Sequence, residues 1–298
     1  MKKLLVAALL LAAAPAQAAV QVFACEPEWG SLAAELGGPA VSVFTATTAR
    51  QDPHQIQARP GLVARLRNAD LLVCTGAELE TGWLPVLLRQ SANPKVQPGE
   101  RGYLEAADSV RLLDQPARLD RADGDVHAAG NPHIQMHPAN IRAVAVVLAQ
   151  RLAMIDPANA ATLEKRRDDF LARWDSAMKR WQVAAEPLRG RRFVVHHKDW
   201  VYMHDWLGTI EAGTIEPKPG VPPGSAHLAS LVAAMKGGGV TAVIHAAYQD
   251  GKPAQFVAER AGVPVVVLPF TVEGTDGARD LFGLFDDTLA RLLAAAKR

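Results

Sequence analysis

No apolar run beyond the first twenty residues of this 298-residue chain is long enough to cross a bilayer. The run at the start, Leu4 to Ala14, is itself too short to span one. Lys2 and Lys3 before it and the small-residue site Ala16-Gln17-Ala18 after it read as a secretory signal, residues 1–18, with cleavage near Ala19. Cysteine is scarce: Cys25 and Cys74 are the only two, and neither lies at that cut to accept a lipid. The short lysine-led signal points to a bacterial periplasm, where a disulfide is permitted. A basic surface is lacking too. Once Lys2 and Lys3 are removed, 30 basic residues stand against 31 acidic ones, which argues against a nucleic-acid partner. The chain has no His-Glu-x-x-His helix and no Gly-x-Ser-x-Gly elbow, so the common zinc-hydrolase and serine-hydrolase signatures are absent and no enzyme is expected. There is no short-period repeat.

What remains is alternation of strand and helix. Val20 to Cys25, Val41 to Ala46 and Ala69 to Cys74 read as strands, with helices at Trp29–Leu36, Pro60–Asn68 and Leu84–Gln90. Such alternation means a parallel sheet with right-handed crossovers. If the first and third strands are neighbours, Cys25 and Cys74 end side by side and form a disulfide; the alternative is two buried free thiols. Residues 114 to 132 form a long loop of Asp, Arg, Gly and Ala, a length that usually marks function or mobility. Pro138 opens a helix to about Met154. Asp156 and Pro157 then cap a second helix of nearly 30 residues, whose stripe Leu163, Phe170, Trp174, Met178 and Trp181 is core rather than ligand cage. The alternation resumes with strands at Arg192–His196, Val240–His245 and Val263–Leu268. The helices there are Trp200–Leu207, Ala226–Met235, Ala254–Ala261 and Asp280–Ala295. The fold class is therefore α/β: two lobes, each with a parallel sheet flanked by helices, joined by one long α-helix. The boundaries are 19–155 for the N-terminal lobe, 156–187 for the linking helix and 188–298 for the C-terminal lobe. A chain this long accommodates one large domain or two lobes with separate cores.

Three of the nine histidines, His54, His133 and His197, are each read as sitting at the exit of an apolar strand, where open α/β sheets place ligands. Pro53 and Pro132 precede two of them and stiffen the approach. Neutral imidazole is the commonest transition-metal ligand. Three delivered to one cleft would make a zinc-type site.

The segments Asp52-Pro53-His54, Gly76-Ala77-Glu78-Leu79-Glu80 with Trp83-Leu84-Pro85, Asn131-Pro132-His133, His197 with Trp200 and Tyr202, and Glu216-Pro217-Lys218-Pro219-Gly220 running to His227-Leu228 occur in this order. In them the chain resembles the periplasmic solute-binding proteins of zinc and manganese ABC importers, across essentially its whole mature length. The resemblance implies Zn2+ bound as transported ligand, with His54 and His133 as N-lobe ligands and His197 from the C-lobe. His196 is the weaker choice. It implies a fourth, acidic ligand after the last strand; Asp276 is chosen, with Glu273 second and Asp280 read as a helix cap. Three imidazoles and one carboxylate suit tetrahedral zinc, whereas a second carboxylate would suit manganese. The implied partners are an ABC permease and, further, a periplasmic metallochaperone, with the protein itself a monomer. A manganese importer component and a periplasmic zinc buffer or metallochaperone are the alternatives. His127, in the long loop, is read as a metal-capture residue. His137 is read as structural, His227 as a hydrogen-bonding group, His204 as a surface residue and His245 as a support behind the ligands. Trp200 and Tyr202 are expected to pack under the site.

Overall fold

The computed structural model of the chain describes residues 18–116, 118, 124 and 127–297; of the expected signal only Ala18 falls within them. Two four-stranded parallel sheets result. The first runs β2-β1-β3-β4, from β1 (Val20–Ala24), β2 (Val41–Thr45), β3 (Leu71–Cys74) and β4 (Tyr103–Glu105). The second runs β6-β5-β7-β8, from β5 (Arg192–Val195), β6 (Ile210–Thr214), β7 (Val240–Ala246) and β8 (Val265–Leu268). Parallel neighbours cannot be joined by hairpins, so crossovers carry the chain back. In the first lobe these are α1 (Pro27–Gly37), α2 (Pro60–Arg67) and α3 (Leu84–Ser91); in the second, α6 (Val201–Leu207), α7 (Ser225–Lys236) and α8 (Lys252–Ala261). Ala24 pairs with Val73 across β1 and β3. The next residues, Cys25 and Cys74, are joined by a disulfide with Cα atoms 4.7 Å apart. The strands β4 and β6 are edge strands that the apolar pattern does not announce. β4 is three residues long, and β6 reads Ile-Glu-Ala-Gly-Thr. An edge strand completes a sheet through its backbone and needs no continuous apolar run.

Asp156 accepts the Asn159 N–H and Pro157 opens a 3-10 turn. The linking helix α5 (Ala160–Ala184) follows, about 37 Å at 1.5 Å per residue. Its first half serves the N-lobe: Arg166 donates to the carbonyls of Glu35 and Leu36 at the end of α1. Its second half bridges both lobes: Trp174 donates to the Pro138 carbonyl and Asp175 pairs with Arg142 on the N-lobe side, while its aromatics reach the C-lobe. The Trp174 ring lies 4.9 Å from Phe282 and 5.5 Å from Phe285 of α9 (Leu281–Ala296). Asp280 caps α9 by accepting the Gly283 N–H. The helix α4 (Pro138–Ile155) has the length and composition of a membrane span, contrary to the reading that no later segment does. Its apolar face, however, with Ile141, Val144, Leu148 and Leu152, is fully buried against the rest of the fold.

Two small apolar clusters fill the outer faces of the sheets. The main core belongs to neither lobe: it runs without a break from Trp29 and Ile134 through Trp174 to Phe270 and Phe285. Each large aromatic buries about 150–250 Å², worth roughly 4–6 kcal/mol at 25 cal/mol per Å². Swinging the lobes apart would re-expose several such rings, so the shared core resists hinge motion.

Candidate metal centre

The C-terminal ends of both sheets face one cleft. Past β2 the chain turns at Asp52-Pro53-His54. The Pro53 carbonyl accepts the Trp83 indole N–H at 2.9 Å, and Asp52 Oδ1 accepts the His54 backbone N–H at 3.0 Å. The same Oδ1 lies 2.8 Å from His54 Nδ1. His133, contrary to the strand-exit reading, follows no strand directly, since β4 ends at Glu105; it leaves a turn in which Asn131 accepts the His133 N–H and donates to the Lys198 carbonyl across the cleft, at 3.0 and 2.7 Å. His197 lies just past β5, with Nδ1 2.7 Å from Glu216 Oε2. Glu216 in turn accepts the Gly220 N–H at 2.9 Å.

The three rings converge. His54, His133 and His197 each offer a nitrogen, and these atoms all lie within 4.8 Å of one another. Their ring centroids are 5.3, 5.7 and 5.8 Å apart. A carboxylate behind Nδ1 fixes the tautomer that leaves Nε2 as a lone-pair donor, the usual support of a metal-bound imidazole. In His54 that Nε2 is buried with no hydrogen-bond partner among the described residues. Burial, then the neighbouring His54, His197 and His127, holds His133 well below the usual histidine range, so it is neutral and ready to donate. Burial acts against protonation of His197 as well, but Glu216, Asp199 and Asp52 outweigh it and its pKa is raised. Against their own partial burial, Asp52 and Glu216 are held below the usual carboxylate range by the histidines they face. The centre is thus an inner ring of imidazoles with anionic carboxylates behind it.

The structure does not bring Asp276 into this group. Asp276 is exposed in the turn before α9, where its backbone carbonyl accepts from Arg279. Hydrogen bonds from Gly274 to Thr271, Glu273 to Ala278 and Ala278 to Thr275 fold that segment back on itself, and Glu273 is exposed too. Phe270, not a carboxylate, meets the ring of His133, at 5.4 Å. The side chain that does approach is His127. Its ring is 5.4 Å from that of His54, its Nε2 is buried with no partner among the described residues, and burial beside the other histidines lowers its pKa to about 4.

The remaining histidines sort by their partners. His137 caps α4 by accepting the Ala139 N–H, and His227 donates to the Thr214 carbonyl. His245 donates to the Ala246 carbonyl, and its other edge faces Gly251 rather than the three rings. His196 borders the same cleft as His197, with Nε2 3.8 Å from Glu216. His204 is not a surface residue: it is buried, bonded to Thr209 at 2.7 Å, and desolvation lowers its pKa to about 4. The seven-residue α6 is buried on more than one face, which periodicity over so short a span does not reveal. Trp200 packs on Phe270, and the Tyr202 hydroxyl donates to the Asn131 carbonyl while accepting the Leu113 N–H. That one hydroxyl ties both ends of the 114–132 loop. The supporting roles of Asp52 and Glu216 escape sequence reasoning. Asp52 carries a local signal, since an Asp two residues before a histidine forms an Asx turn; Glu216, nineteen residues from His197, carries none.

The protein-family profile described as "ZnuA: Zinc-uptake complex component A periplasmic" matches residues 22–295. Among characterised proteins, the high-affinity zinc uptake system protein ZnuA of Paracoccus denitrificans is 28% identical over 264 residues, which cover 76% of this chain and 76% of that one. A crystal structure of ZnuA superposes with a TM-score of 0.77 at 23% identity, covering 94% of this chain and 99% of that one. A zinc-bound crystal structure of a ZnuA deletion mutant gives 0.74 at 25% identity, covering 94% and 96%.

Proposed function

Since this chain belongs to the ZnuA family of periplasmic zinc-uptake components, we propose that it captures Zn2+ in the cleft between its lobes and delivers it to an ABC permease in the periplasm. It is a zinc-binding solute-binding protein, a transport component and not an enzyme. In the proposed reading His54, His133 and His197 are the protein ligands and His127 takes the fourth position in place of Asp276. One observation carries the reading: three imidazoles from both lobes within 4.8 Å of one another, two of them backed by carboxylates. All-nitrogen donation favours zinc over manganese, because harder oxygen donors suit manganese. Bound zinc would need Zn–N distances of about 2.0–2.1 Å, so the rings draw slightly inward around the ion.

The test is titration calorimetry of metal-stripped protein with zinc and with manganese. Replacing His54, His133 or His197 by Ala should each weaken zinc binding by at least about 100-fold, and His127→Ala by about tenfold. Asp276→Ala should leave it unchanged. Tighter binding of manganese than zinc, or wild-type zinc affinity after all three substitutions, would refute the reading.

A further inference from the structure

Gly76, Ala77 and Glu78 follow one another in the left-handed region, with φ of 78°, 48° and 70°. Glycine adopts it freely; alanine and glutamate keep it only where the surroundings impose it. Here the imposition comes from below. The buried Glu80 carboxylate accepts the N–H groups of Thr75 and Gly76 at 2.8 and 3.0 Å, drawing the turn tight at the end of β3. The consequence is that Glu78, itself exposed, reaches the long loop: its Oε2 accepts the Ala128 N–H at 2.5 Å. Ala128 follows His127 directly. On its other side the His127 carbonyl accepts the Gly130 N–H at 3.2 Å, closing a small turn. At the first residue of this doubly held turn the His127 ring faces His54, with Nε2 buried and, among the described residues, unpartnered.

We propose that Glu78 is a positioning residue for metal capture. By accepting the Ala128 N–H it docks the 127–130 turn on the N-lobe and aims the His127 imidazole at the ion held by His54, His133 and His197. The inference rests on the reading of His127 as fourth donor. It extends a pattern already present: Asp52 and Glu216 back the rings of two ligands, and Glu78 backs a third histidine through its backbone. Ala77 in this turn packs on the main core, but the Glu78 side chain is exposed and its contact with the Ala128 amide is not explained by burial.

The experiment compares wild type, His127→Ala, Glu78→Ala, Glu78→Gln and the His127→Ala/Glu78→Ala double variant. Zinc affinity is measured by competition with a chromophoric chelator, and the visible spectrum of the cobalt(II)-loaded protein reports donor geometry. Metal-free melting curves establish that each variant is folded. Glu78→Ala should bind zinc about three- to tenfold more weakly, no more than the loss in His127→Ala, and its cobalt spectrum should shift toward that of His127→Ala. Glu78→Gln keeps an acceptor oxygen and should restore affinity to within about twofold, because a neutral amide still accepts the N–H. The double variant should be no weaker than His127→Ala alone, since a positioning residue loses its effect once the residue it positions is gone. Wild-type affinity in Glu78→Ala beside a weakened His127→Ala would overturn the proposal while leaving the fourth-donor reading intact. Additive losses in the double variant would overturn it too. An unchanged His127→Ala, in affinity and spectrum, would instead remove the fourth-donor reading.

Discussion

Glu216 touches no ion in the proposed site, yet its removal should cost the protein much of its affinity. Its Oε2 faces His197 Nδ1 at 2.7 Å and accepts the Gly220 N–H at 2.9 Å. Glu216→Ala deletes a charge-assisted hydrogen bond, a class worth roughly 1.5–3 kcal/mol, and frees the imidazole to rotate or change tautomer. At 1.4 kcal/mol per decade this is about 10- to 100-fold in affinity, the range usual for the carboxylate partner of a metal-bound histidine. Glu216→Gln separates geometry from charge. Its carbonyl oxygen still accepts the Nδ1–H, so the ring stays aimed, but the anion that makes the imidazole more basic is gone. The order should be wild type, then Gln, then Ala, with His197→Ala weaker than all three. Chelator competition at pH 7.5 reads the series directly. Zinc affinity in Glu216→Ala within about threefold of wild type would refute the argument that an outer carboxylate fixes this ligand.

Two predictions concern stability. Glu28 is fully buried beside Glu26, with Oε2 2.5 Å from the Thr271 hydroxyl of the other lobe, and burial raises its pKa to about 7. A carboxyl raised from 4.5 contributes its full share below pH 4.5, where both states are protonated, and loses it as pH climbs through 7. At 1.36 kcal/mol per unit the swing is about 3 kcal/mol at most. The urea stability of metal-free wild type relative to Glu28→Gln should therefore fall from pH 5 to pH 8; a constant difference would refute it. The Cys25–Cys74 disulfide closes a loop with a sequence separation of 49, which the chain-entropy relation values at about 4 kcal/mol. The Cys25→Ala/Cys74→Ala variant should lose stability of that order in a denaturant melt but keep its zinc affinity to within a few-fold. A loss below about 1 kcal/mol would mean the reduced chain is already constrained.

Much of this architecture is legible in the sequence because the periodicities are local. The central strands β1, β3, β5 and β7 are mostly apolar, with β3 apolar throughout, and the α5 stripe from Leu163 to Trp181 repeats at helical spacing. The neighbouring of β1 and β3 places the cysteines side by side, as the strand ends suggest. Legibility fails where position depends on tertiary context. The edge strand β6 carries Glu211 and Gly213 and is a strand only because β5 lies beside it. His204 is buried by packing that its own seven-residue helix does not encode. Asp276 has the chemistry of a ligand and a plausible place in the chain. A turn closed by its own backbone hydrogen bonds leaves it in solvent, while His127, in a loop of no periodicity, folds onto His54.

The undivided core bears on how such a site discriminates. A binding protein with separately packed lobes can gain selectivity by closing around the right ligand, drawing on the free energy of closure. Here Trp29, Trp174, Phe270 and Phe285 belong to one buried cluster, so large closure would break contacts before it made any. In the proposed reading, discrimination then rests on the donors as they stand. His133 is neutral at the outset and His54 and His197 are aimed by anions, so little reorganisation is left for the ion to drive. The carboxylates stand one bond further out, donating charge through the rings rather than oxygen to the metal. On that reading the arrangement would offer a dication nitrogen ligands in a field of compensating charge, which would suit zinc and leave manganese without the oxygen shell it prefers.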